Sequence, residues 1–271
     1  MRHIISLFVM ALATATSMAA APPAVDPALS AVIASDQRTQ SFVARDAARH
    51  PAEELTFFGI KSNSNVVELW PGGGYWTEIL APYLAARGHY TAALPPTKAG
   101  GEDSTTVAQW RARIAPQAAR FGTIHETTLG AGHFDIAPPG SADFILTFRN
   151  LHNWMDGGYA AEALAACFRA LKPGGILGVE DHRGSNEQPQ DPLAKSGYVR
   201  QDYAINLAKQ AGFEFVGSSE VDANPKDTKD WPSGVWTLPP TFALGDKDRA
   251  KYAAIGEADN FVLKFRKPKH S

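Results

Sequence analysis

Two short stretches carry the side chains best suited to moving a proton. "TFRNLHNWMDGG" brings Arg149, Asn150, His152, Asn153 and Trp154 together, and "EDHRG" brings Glu180, Asp181, His182 and Arg183. Imidazole has an ordinary pKa of about 6.5, so His152 and His182 are candidate general bases, with Asp181 beside them in the catalytic group. A plainer reading has both histidines capping loops while Arg149 pairs with Asp181. His152, Asp181 and His182 could also surround one ion. No HExxH or cysteine pattern accompanies them, however, so no metal is expected. No GxSxG elbow occurs, which argues against a serine hydrolase.

A second feature is "VVELWPGGGYWTEIL", Val66 to Leu80: an apolar run, a glycine turn, then helical spacing. A strand that turns through glycines into a helix N-terminus leaves free N–H groups and no Cβ atoms, so a polar or anionic ligand can lie close to the backbone. Alone, such a turn is equally a tight connection. Glu68, inside the strand, could accept hydrogen bonds from the turn.

These residues need elements to hold them. "NVVELW", "HYTAAL", "TIHETTL", "ADFILTFRN", "ILGVEDHR", "FEFVGSSEV" and "NFVLKFRKP" read as strands. Helical patterns lie between them, in "YWTEILAPYLAARG", "TTVAQWRARIAPQAARFG", "GYAAEALAACFRALKPGG" and "VRQDYAINLAKQAG". Such alternation predicts a layered α/β domain with a mostly parallel sheet, whose last strand pair could be antiparallel. In that architecture ligands meet the carboxyl ends of strands, where both histidine stretches fall. Upstream, residues 22–36 read as a loose lead-in, and "SDQRTQSFVARDAARHPAEELTFFGI" reads as helical, with Pro51 starting a second helix. "NPKDTKDWPSGVWTLPPTF" is a Pro-rich excursion that either covers the sheet or brings Trp236, with Trp231 near it, over the rim as an aromatic lid.

The pair "VVELWPGGG" and "LKPGGILGV" resembles the first and last core motifs of class I S-adenosylmethionine-dependent methyltransferases. Nearly the whole mature chain, through "FRNLHNWM", "EDHRG", "NPKDTKDWPSGVWTLPP" and "NFVLKF", resembles a family of exported predicted methyltransferases. The resemblance implies a Rossmann-like, seven-stranded, mostly parallel sheet with a helical N-terminal extension. It also implies S-adenosyl-L-methionine as cofactor and methyl transfer to an unknown small-molecule acceptor. Glu68 would orient the turn, Gly72, Gly73 and Gly74 would pass beneath the methionine portion, and Trp70 and Asn150 would join the cofactor site. Two departures stand out. Trp70 replaces the first glycine, so either the backbone differs there or the indole lines the pocket. Leu94 and Pro95 stand where the second strand normally ends in a ribose-binding acid, and Glu102 and Asp103 lie about eight residues too far along. Two lost charge-assisted hydrogen bonds, each worth about 1.5–3 kcal/mol, would weaken cofactor affinity by roughly two orders of magnitude or more. Two other readings remain open: a non-catalytic periplasmic metabolite-binding protein on the same fold, and a nicotinamide-dependent oxidoreductase. The latter would want the same missing acid.

The bulk properties agree with an ordinary globule: 271 residues, 44% hydrophobic, 20% charged and a net charge of -2. That balance argues against nucleic acid as a partner. The first 20 residues, with Arg2 near the start, an apolar run and small residues before Ala21, read as a cleaved signal peptide. The mature chain, 21–271, would then be periplasmic or secreted and would not insert into a membrane; its methyltransferase-like core would span about 55–271. The one cysteine, Cys167, permits no internal disulfide and reads as a buried helix residue. Nothing in the sequence sets an oligomeric state.

Overall fold

The structure is a computed structural model that describes residues 24–97 and 103–269. Seven strands form one sheet: β1 (Asn65–Leu69), β2 (His89–Leu94), β3 (Ile124–Thr128), β4 (Ala142–Phe148), β5 (Leu171–His182), β6 (Glu214–Ser219) and β7 (Asn260–Arg266). Their order is β3-β2-β1-β4-β5-β7-β6. The first five run parallel, and β7 is antiparallel to both neighbours. The expected Rossmann-like, mostly parallel sheet is present. The order reverses at β1, so β1 and β4 form the switch point where this architecture takes its ligands.

Alternation along the strands builds two cores. Val67, Leu69, Ile145, Leu177 and Val179 face one side, with Trp154 and Cys167. Val66, Leu146, Phe148 and Val262 face the other, with Leu55, Ile79 and Trp110. Burial pushes the Cys167 thiol up to about 12, consistent with an inert core residue. On the first side, Ala160–Ala170 is a helix that stops where Leu171 turns extended, so "LKPGG" belongs to β5 rather than to a helix stop. No helix among the described residues is long and apolar enough to cross a membrane.

The N-terminal segment departs from its sequence reading. The lead-in contains a helix, Pro27–Ile33, capped by Asp26, whose Oδ1 accepts the Ala28 N–H at 2.8 Å. Asp26 also accepts the Tyr83 hydroxyl at 2.7 Å, which fastens this helix to Thr77–Leu84. The next stretch is three short helices, Gln40–Val43, Asp46–Arg49 and Pro51–Phe58, broken at His50 with φ 37°. The signal-peptide segment and Glu102 lie outside the described residues.

Glu68 does not bind the turn that follows it. Its carboxyl accepts the hydroxyls of Tyr90 and, at 3.4 Å, Thr77; Trp110 Nε1 donates to Thr77 Oγ1 at 3.0 Å. The group thus joins β1 and β2 to the helices above them. Burial raises its pKa to about 8, against the opposing pull of those hydroxyls. Below pH 8 the folded state therefore holds a proton that the unfolded chain releases near pH 4.3. This contribution to stability is complete in acid and is lost as pH rises to about 8. In urea unfolding between pH 5 and 8, Glu68→Gln should therefore gain on the wild type by up to about 1.4 kcal/mol per pH unit. A pH-independent difference contradicts a neutral Glu68.

Candidate active site

Two hollows at the carboxyl edge of the sheet hold the expected site residues. The first, about 340 Å³, is lined by Trp70, Pro71, Gly72, Leu94, Pro95, Trp110 and Asn150, with Ser104, Thr106 and Val107 from the start of helix Thr105–Ile114. Of the three glycines only Gly72 lines it. Gly72 adopts φ +58°, and a Cβ built there meets nothing within 4 Å. Gly73 instead lies under the Phe42 ring of the N-terminal segment, and Gly74 lies against Trp110; a Cβ on each would sit 3.7 Å and 3.2 Å from those side chains. Among the described residues the N–H groups of Gly72 and Gly73 meet no acceptor, and both residues are exposed.

Trp70 keeps the conformation a glycine would take, φ 51°, so the backbone has not changed to suit the side chain. The indole is turned aside instead. Its Nε1 donates to Leu129 O at 2.8 Å, and its ring meets Trp154 edge-on at 6.3 Å. It forms a wall of the hollow without closing it. Asn150 spends its amide N–H groups on Leu69 O at 3.0 Å, Trp70 O at 3.3 Å and Thr147 Oγ1 at 3.3 Å, so it ties the ends of β1 and β4 together. That leaves its Oδ1 for a ligand.

The hollow fits an adenosyl ligand at one end and departs at the other. Bare backbone at Gly72 and a ring of apolar and aromatic groups suit a nucleoside. No carboxylate among the described residues lines the hollow. Asp103 is paired with Arg111 and lines a separate hollow of about 300 Å³.

The second hollow, about 250 Å³, is lined by Arg45, Arg149, His152, Asn153, His182 and Trp236, with Pro239, Pro240 and Thr241. Here the structure unites His152, Asp181 and His182. Asp181 is fully buried and accepts three N–H groups: His152 Nδ1 at 2.8 Å, the His152 backbone at 3.0 Å and its neighbour His182's backbone at 2.7 Å. Burial opposes its charge, but the His152 contacts outweigh that and hold it below the usual carboxylate range. An ionised acceptor holds a proton on His152 Nδ1, so in the neutral ring the lone pair is on Nε2, toward the hollow. His182 Nδ1 meets Asn260 Oδ1 at 2.7 Å, and since an amide oxygen only accepts, its Nε2 is free as well. Burial pushes His182 down to about 3, with the Arg149 charge adding to the effect and Asp181 opposing it. His182 is therefore neutral at physiological pH and a weak base. The three residues could bring one ligand atom each within 4.8 Å of one another, but Asp181 already serves three N–H groups.

Arg149 does not pair with Asp181. Its Nη1 binds Glu257 Oε2 at 2.8 Å, where Arg45 also binds at 2.5 and 2.7 Å. Trp236 reaches the rim, 6.0 Å edge-on from His152, whereas Trp231 packs against Tyr252 and donates to Asp227. One indole, not two, therefore stands at the rim. Glu257, Asn260 and Arg45 were not anticipated as site residues. Because β7 is antiparallel, its first residue, Asn260, sits opposite His182 at the end of β5. The polar run "GEADN" just before the last strand was the available signal.

A further hollow, about 520 Å³, lies beside His89, Tyr90 and His125, near the starts of β2 and β3 rather than at the carboxyl edge.

The sequence matches no protein-family model and no curated protein. Solved structures do match. A SAM-dependent methyltransferase from Aquifex aeolicus aligns with TM-score 0.55 and 14% identity, over 83% of this chain and 93% of its own. The arsenic(III) S-adenosylmethionine methyltransferase CrArsM from Chlamydomonas reinhardtii aligns with TM-score 0.51 and 16% identity, over 91% and 75%. The [4+2]-cyclase SpnF aligns with TM-score 0.53 and 17% identity, over 86% and 84%. At such identities the likeness establishes the fold, which is the class I methyltransferase fold, and leaves the chemistry to the residues.

Trp70→Gly separates strain from packing. It relieves a left-handed backbone cost of about 1–2 kcal/mol but forfeits the packing of a half-buried indole, which approaches the roughly 3–5 kcal/mol of a fully buried one. Denaturant unfolding should show a net loss of about 1–4 kcal/mol. A stabilised variant would mean that the indole contributes nothing to the wall.

Proposed function

We propose that the protein is a methyltransferase that uses S-adenosyl-L-methionine and acts on a small molecule outside the cytoplasm. Its N-terminal sequence supports export. The observation that carries the chemistry is the pairing of two hollows at one sheet edge. One runs along the bare backbone of Gly72, and the other holds the free Nε2 of a histidine oriented by a buried carboxylate. Arg149 and Asn150, adjacent in the chain, each line one of them.

Trp70, Trp110, the Gly72 backbone and Asn150 Oδ1 would hold the cofactor, whose sulfonium supplies an electrophilic methyl group when bound. On the protein's side, His152 Nε2 accepts the proton of an acceptor hydroxyl or amine as that group attacks. Asp181 keeps the imidazole in the required tautomer and stabilises the imidazolium that forms, acting as a positioning residue. His182, neutral, accepts a hydrogen bond and helps align the acceptor.

The apolar ends at Leu94 and Pro95 favour one competing reading, a non-catalytic metabolite-binding protein, because no acid is there to hold the ribose. Calorimetry on the mature protein with S-adenosylhomocysteine, S-adenosylmethionine and NAD decides between them. The expected result is binding of both adenosyl compounds, none of NAD, and a loss of about 100-fold or more in Gly72→Leu, whose side chain fills the hollow. Absence of adenosyl binding, with another metabolite retained through purification, favours the binding protein. Unchanged affinity in Gly72→Leu overturns the site assignment.

A further inference from the structure

The second hollow carries an excess of positive charge that base catalysis does not require. Three guanidinium groups converge on one carboxylate. Arg45 and Arg149 bind Glu257 directly, and Arg49 Nε lies 3.6 Å from the same Oε2. The next acid, Glu180, is fully buried and raised to about 8, chiefly by that burial, with Arg149 opposing. It stays protonated at neutral pH and does not balance the arginines. Ionised Asp181 adds one negative charge and Asp222 is paired with His50 at 2.9 Å, so the three guanidinium groups still outnumber the two carboxylates, Glu257 and Asp181, that face them.

Arg149 is also held in an unfavourable conformation. Its φ is 62°, a left-handed value that few residues with a Cβ adopt, and its N–H is fastened to Glu180 O at 2.8 Å. Backbone strain of this kind clusters at ligand-binding positions. The side chain aimed this way gives one nitrogen, Nη1, to Glu257; among the described residues its Nε and Nη2 have no acceptor. The Arg149 side chain retains 17% of its exposure and Arg45 21%, and both line the hollow. The rest of the lining is largely apolar, with Val235, Trp236 and the two prolines.

We infer that this hollow is a binding site for a small organic carboxylate, with its anionic group on Arg149 and Arg45 and its apolar body against Trp236. A planar guanidinium fork with two free donors suits a carboxylate, and partial burial strengthens the contact. His152 and His182 then face the ligand's remaining polar atom, the one that would be methylated. The same arginines repel a cation, which disfavours a metal ion at the histidines. The inference rests on the reading of this hollow as the acceptor site, though its test reads binding alone.

The test is calorimetry at neutral pH with 4-hydroxybenzoate and its neutral counterpart 4-hydroxybenzyl alcohol. The wild type should bind the acid about tenfold or more tightly than the alcohol. Arg149→Asn, a residue that tolerates the left-handed backbone, should abolish that preference, and Arg45→Gln should reduce it. Thermal unfolding checks that each variant folds; if Arg149→Asn does not, Arg45→Gln decides. Equal affinity for acid and alcohol, no binding of either, or an unchanged preference in the folded variants overturns the inference. A carboxylate preference without adenosyl binding would leave this site standing while the methyl-transfer reading falls. Adenosyl binding without the preference would do the reverse.

Discussion

The buried Asp181 carboxylate is the contact on which the site depends. It sits near the end of β5 yet takes two of its three N–H donors from His152, at the start of the helix after β4. A charge in an apolar setting is costly unless hydrogen-bonded, and here both oxygens are engaged. The bond therefore does two jobs. It joins the ends of two neighbouring strands, and it sets which nitrogen of His152 is free. Asn150 makes the equivalent tie between β4 and β1, so side chains link the ends of three neighbouring strands at the sheet edge.

This edge also explains the role of the antiparallel strand. A parallel final strand would present its far end there. Because β7 runs the other way, its beginning and the residues before it, Glu257 to Asn260, arrive beside His182. Asn260 sets the His182 tautomer and donates to Glu180, and Glu257 gathers the arginines. The N-terminal segment contributes from the other side. Arg45 reaches the same glutamate, while Phe42 lies over Gly73. The site is thus assembled from both ends of the chain around the switch point of the sheet.

Much of the architecture was legible because strands buried on both faces read as apolar runs, and "NVVEL" and "ADFILTF" are of this kind. The rule that ligands meet the carboxyl ends of strands places His152 and His182 at one rim from the sequence alone. What could not be read was non-local. Glu68 lies next to the turn in sequence, but its partners come from β2 and the following helix, so adjacency misled. Gly73 looks as bare as Gly72 in the sequence, but Gly72 takes a left-handed φ and Gly73 lies against Phe42. Arg149 and Asp181 lie on adjacent strand ends, which suggested a pair, whereas Glu257, 108 residues further on, takes the guanidinium. The helix at Pro27–Ile33 did carry a local signal, Asp26 followed by proline, in a stretch whose alanine and proline content suggested a loose chain.

The most direct test of the account is the tautomer of His152. Nitrogen-15 NMR of the protein across a pH titration, with the signal assigned by its loss in His152→Gln, should show that the neutral ring carries its proton on Nδ1 and leaves Nε2 unprotonated. A ring protonated on Nε2, or a rapidly exchanging mixture like that of free imidazole, would contradict the claim that Asp181 prepares this residue as a base.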